Sequence, residues 1–123
     1  MRHTLALAAL LSGLALAAGS AGAQEAPEGG AWIDCQVTAI TAFRDRMSVT
    51  CAAAAPREVT GSAGVREYMV ETNDPLADLL TRLAIEAKGR ARPLGLLLVR
   101  APEANPAECP AETCRRVAGA MLK

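Results

Sequence analysis

Four cysteines, Cys35, Cys51, Cys109 and Cys114, are the residues whose type and spacing promise chemistry. An even cysteine count in an exported domain ordinarily means disulfides. Two other uses are a redox dithiol at Cys109-x4-Cys114 and a four-thiolate zinc site. Thiol-disulfide enzymes place CxxC at a helix amino terminus, which stabilises the thiolate. Here the spacing is longer and Pro110 follows the first cysteine, so a structural bridge is preferred. An oxidising compartment also disfavours zinc. The one histidine, His3, lies in the leader described below, so no Ser-His or Cys-His pair and no imidazole ligand survives cleavage. Glu58, Glu67, Glu71, Asp74 and Asp78 are available for acid-base work, but a solvated strand or helix face accounts for each. The expectation is no catalytic residue, no metal and no cofactor.

Two groups of residues suggest binding. Arg90, Arg92, Arg115 and Arg116 would form a basic patch if the entry to one strand meets the terminal segment, and such a patch holds carboxylate or phosphate. The plainer reading is scattered surface charge. Trp32 marks either an interaction surface or a cover over one end of the domain.

The compartment follows from the first residues, MRHTLALAALLSGLALAAGSAGAQ. Arg2 and the amino terminus precede an apolar run, and Ala21-Gly22-Ala23 offers a small-x-small cleavage pattern, so residues 1–23 are a signal peptide cut between Ala23 and Gln24. The run is too short and Ala-rich for a membrane span, which takes roughly 20 strongly apolar residues. No lipid-accepting cysteine follows the cut and no twin arginine precedes it. The expected address is periplasmic or secreted, free of membrane after cleavage. Of 13 Lys plus Arg, Arg2 leaves, so 12 bases face 13 acids, a net charge of −1. That balance gives no field for a polyanion, so nucleic acid is excluded as a partner.

The remaining residues suit one domain. Residues 24–31 read as a flexible lead-in, and residues 32–123 as a single disulfide-bonded domain. From Trp32 to Ala53 apolar residues alternate and fold back about Phe43, which predicts a half-buried hairpin with Cys35 opposite Cys51, Val37 opposite Val49 and a bulge or strand end at Ile40. The connectivity favoured is therefore Cys35–Cys51 with Cys109–Cys114. Arg57 to Thr60 reads as a short edge strand and Val65 to Thr72 as a third main strand. Asp74-Pro75 starts a helix running to about Lys88, with Leu76, Leu79, Leu80, Leu83, Ala84 and Ala87 inward, Asp78, Arg82 and Glu86 outward, and Gly89 as the cap. Leu94 to Val99 is a buried strand, and Arg115 to Lys123 closes the chain as another.

This order resembles the small OB-fold B subunits of AB5 toxins, of the subtilase cytotoxin B subunit kind, and small secreted proteins that share the pattern. The residues that carry the likeness are the Cys35…Cys51 hairpin, Tyr68-Met69-Val70, the run LADLLTRLAIEAKGRARPLGLLLV and Cys114-Arg115-Arg116-Val117. The resemblance implies a mainly β fold with one helix, an OB-like five-stranded barrel of order β-β-β-α-β-β, and a binding activity, often in a ring of copies. The chain departs from glycan-binding members, because its only aromatics are Trp32, Phe43 and Tyr68 and no sugar-binding position matches. The expected role is a non-catalytic binding module for a protein or small-molecule ligand, with a homo-oligomer as one form. The alternatives are an inhibitor or accessory subunit that inserts the Ala101 to Pro110 loop into an exported enzyme, and a thiol-disulfide protein using Cys109 and Cys114.

Overall fold

The run from Gly30 to Cys51 makes three strands, because the chain bends at Gln36. In the computed structural model, which describes residues 30–99 and 105–123, β1 spans Gly30–Cys35, β2 Val37–Ala42 and β3 Arg46–Cys51. A helical turn α1, Arg57–Thr60, leads to β4, Glu67–Glu71, and the main helix α2, Leu76–Arg90. Strands β5, Leu94–Val99, and β6, Cys114–Leu122, complete the sheet. Residues 1–23, expected to be a signal peptide, and most of the expected lead-in lie outside the described residues, and Gly30 and Ala31 belong to β1 rather than to a lead-in.

The sheet order is β1-β5-β6-β4-β3-β2, antiparallel throughout except for the parallel β4–β6 pair. The mainly β class with one principal helix is as expected. The five-stranded barrel is corrected: six strands form a mixed sheet whose edges, β1 and β2, are not paired with each other, so it is not closed. The cause is local. Ile33, Cys35 and Val37 keep facing inward, but the ladder partner changes from β5 to β3 at Gln36.

The hairpin register is corrected as well. Val37 stands opposite Cys51, Ile40 opposite Val49 and Ala42 opposite Met47, with the irregularity between Val37 and Ala39. An extra residue reverses which parity faces the core, because side chains alternate with period two. Ala39 is exposed and Ile40 packs on the core, so the apparent break at Ile40 is the alternation resuming on the other parity. The turn is closed by the Phe43 N–H donating to the Arg46 carbonyl at 2.7 Å.

Arg57 to Thr60 forms the helical turn α1 instead of an edge strand, and Gly61 ends it at φ 73°, a left-handed conformation that only glycine adopts without cost. The start of α2 is as read from the sequence: the Asp74 carboxylate accepts the Leu76 N–H at 2.9 Å, and Pro75 occupies a position that needs no amide proton. The end differs. The helix runs through Gly89, and Ala91 takes the left-handed position at φ 52° while the Ala91 and Arg92 N–H groups bond the Lys88 and Ala87 carbonyls. Those paired bonds are a Schellman closure, whose hydrogen bonds hold an alanine where glycine was expected. Ala77, Leu80, Ala84 and Ala87 form the buried face, whereas Leu79 is 49% exposed. The alanines lead into the contact, which rotates the helix away from the leucine-centred stripe. Of the outward charges, Glu86 pairs with Arg90 at 2.7 Å.

The core lies between α2 and the sheet. Val49, Tyr68, Val70, Leu80, Leu94, Leu96, Leu98 and Val117 are all essentially inaccessible. On the opposite face of the sheet Trp32, Leu97 and Gly119 lie side by side in register across β1, β5 and β6. A Cβ on Gly119 would stand 3.2 Å from the Leu97 Cβ and 3.5 Å from the tip of the Trp32 ring. Trp32 thus covers the outer face of this half of the sheet.

Candidate functional site

The two disulfides are Cys35–Cys51 and Cys109–Cys114, the connectivity the sequence favoured, and together they use all four cysteines. All four residues are at most 3% exposed. Disulfide exchange needs a thiolate that reaches the sulfur, so buried bridges of this kind serve as structural links. Their presence fits an oxidising, exported compartment. No helix among the described residues is long and apolar enough to cross a membrane.

The Cys109–Cys114 bridge closes a loop that is also held from inside. The Asn105 side-chain amide donates to the Cys109 carbonyl at 3.2 Å and to the Cys114 carbonyl at 3.0 Å, and its oxygen accepts the Arg116 N–H at 3.1 Å. One side chain therefore fixes the loop to the first residues of β6. This places Pro106, Ala107 and Glu108 opposite the β2–β3 turn, with a groove of about 480 Å³ between them. Its floor comes from the end of β4, through Met69, Glu71 and Thr72.

The turn is anchored to that floor, since the Thr72 N–H donates to the Asp45 carbonyl at 3.0 Å. Arg46 is committed within the turn: its guanidinium meets the Asp45 carboxylate at 3.0 Å and lies 4.0 Å from the centre of the Phe43 ring. Glu71 and Glu108 have no ion-pair partner among the described residues. The groove walls carry Asp45, Glu71 and Glu108 against the single cation Arg46, so the lining itself has an excess of negative charge.

The arginines named from the sequence do not gather. Arg90 and Arg92 are exposed at the carboxyl end of α2. Arg116 lies 3.9 Å from Asp74 at the amino end, about 21 Å away along a 15-residue helix. Arg115 points elsewhere and is only 2% exposed, its guanidinium donating to the carbonyls of Thr60, Ala111 and Cys114. A single basic patch is thus replaced by three separate locations. Trp32 helps to wall a second depression of about 420 Å³ with Pro56, Val59 and the Asp34–Lys123 ion pair of 2.5 Å.

Beside Arg115 in the parallel register stands Tyr68, whose hydroxyl donates to the Val65 carbonyl at 3.0 Å. Burial pushes its phenol up to about 12, against smaller opposing effects of the Ala55 backbone and the Arg115 charge. It is a neutral core group at any physiological pH.

No protein-family model matches this chain, and neither does a curated protein or a solved structure. Sequence reasoning named Glu71 only as a solvated carboxylate and did not single out Asp45, Arg46, Asn105 or Glu108. Phe43 and Arg46, three residues apart in the turn, were the one available signal.

Proposed function

We propose that the mature chain is an exported, non-catalytic binding module of OB-like architecture, and that its ligand seats in the groove between the β2–β3 turn and the Cys109–Cys114 loop. The observation that carries this reading is the position of the groove. Counting β1 and β2 as one strand bent at Gln36, the sheet order follows the OB-like path, including its parallel pair. In that architecture, a partly open Greek-key barrel, ligands meet the loops after the first and fourth strands. Those are the two segments that wall this groove.

The chemistry of the walls selects the ligand. With Asp45 and Arg46 paired, Glu71 and Glu108 are left to attract positive charge, and Thr72 and Asn73 add hydrogen-bonding groups. The ligand is therefore a polar, cationic group such as a basic side chain of a partner protein. An amino-terminal signal peptide delivers the module to the periplasm or beyond. Isothermal titration with a short lysine-rich peptide tests the reading. Saturable binding that Glu71→Gln with Glu108→Gln abolishes supports it, and heat indistinguishable from dilution contradicts it.

A further inference from the structure

Among the described residues Arg115 is the one charged residue that is buried, and no carboxylate among them balances its charge. Burying an ion without a counter-charge is costly, and backbone carbonyls offset only part of the cost. Three carbonyls do surround it: Nη1 donates to Ala111 and Cys114, and Nη2 to Thr60. A guanidinium has five N–H groups. Two remain, one on Nη2 and the one on Nε, which is buried without a partner. They belong to neighbouring nitrogens of one planar group, the arrangement that carboxylate and phosphate oxygens engage in pairs.

The residue does not sit in sealed core. It lines a cleft of about 330 Å³ between α1 and the disulfide loop, with Gly61 and Ser62 on one side and Ala111 and Glu112 on the other. The walls are tied together, because the Ser62 hydroxyl donates to the Glu112 carbonyl at 2.8 Å. Thr60 turns its own hydroxyl to the Ser62 carbonyl at 2.7 Å, and its backbone oxygen accepts from Arg115. The cleft thus has tied walls, and its lining includes a cation with two unused donors.

We propose that the Arg115 cleft is a binding site for a small oxyanion, a carboxylate or phosphate group, separate from the acidic groove, with which it shares no lining residue. Binding neutralises the buried guanidinium and completes its hydrogen bonding. The anion also joins α1 to the loop that forms one wall of the groove.

The test is side-chain NMR of the folded protein, titrated at constant ionic strength with inorganic phosphate and separately with acetate, in the wild type and in Glu112→Gln. The expected result is a saturable shift of the Arg115 Nε–H signal at millimolar anion in at least one of the two proteins, while the signals of exposed Arg57 and Arg66 drift without saturating. A response to phosphate alone or to acetate alone identifies the preferred oxyanion. An Arg115 signal that stays fixed, or drifts like those of Arg57 and Arg66, in both proteins with both anions overturns the proposal. Arg115→Lys keeps the charge but loses the planar donors. Where that variant folds, its affinity for the same anion should fall at least tenfold, and unchanged affinity would also overturn the assignment.

Discussion

The sulfur bond between Cys35 and Cys51 joins the last residues of two strands that share no ladder. Cys35 ends β1, which pairs only with β5, and Cys51 ends β3, which pairs with β2 and β4. The bridge spans 5.2 Å between Cα atoms at the bend where the chain leaves one edge of the sheet for the other. It fixes the corner at Gln36 that lets one stretch of chain supply both edges.

Removing that bridge by Cys35→Ala with Cys51→Ala should cost about 3 kcal/mol, because it closes a separation of 16 residues, whereas removing Cys109–Cys114, with a separation of 5, should cost about 2 kcal/mol. Urea unfolding of the two double variants measures both. The larger loss should fall on the corner bridge.

Ala91→Gly should stabilise the fold by about 0.5–1 kcal/mol. Ala91 is exposed and holds φ 52° at the end of α2, where glycine avoids the clash of a Cβ but gives up some unfolded-state restriction. The midpoint of thermal unfolding should rise.

Tyr68 makes stability depend on pH in the alkaline range. Its folded pKa of about 12 exceeds the ordinary 10.0, so between these values the unfolded chain loses the proton first and stability falls as pH rises. This group alone should contribute a slope of about −1.4 kcal/mol per pH unit between pH 10 and 12, and Tyr68→Phe should remove that slope. As the only tyrosine, its near-ultraviolet absorbance reports the titration directly.

Gly119→Val should push the indole of Trp32 off the sheet. The added methyl groups enter space already bounded by Leu97 and the Trp32 ring, at a cost of about 1–3 kcal/mol. Trp32 is the only tryptophan, so its fluorescence should shift to the red in the folded variant.

The parts of the fold legible in the sequence are those that rest on local chemistry. Asp74-Pro75 announces the start of α2, the leucine and alanine spacing announces its body, and Leu94 to Val99 can only be a buried strand. Register was less legible, since a slip of two residues leaves period-two alternation unchanged and the extra residue near Thr38 shows in it only as the break at Ile40. The bend at Gln36 left no mark because Ile33, Cys35 and Val37 stay on one parity across it. Arg57 to Thr60 looked like a strand for its β-branched pair Val59-Thr60, although Gly61 marked the helical turn. For the candidate site the obstacle is distance along the chain. Glu71 and Glu108 come to line one groove through the Thr72–Asp45 bond and the Asn105 clamp, and Arg115 reads as a surface residue until the carbonyls of Thr60, Ala111 and Cys114 are seen around it.

The central claim is that the acidic groove receives a cationic ligand, and backbone NMR during titration with a lysine-rich peptide tests it most directly. The predicted result is saturable shifts concentrated at Asp45, Glu71, Thr72, Ala107 and Glu108, lost in Glu71→Lys with Glu108→Lys while the rest of the spectrum keeps its folded dispersion. Absence of shifts, or saturable shifts centred on the Trp32 face and unaffected by those substitutions, would contradict the account.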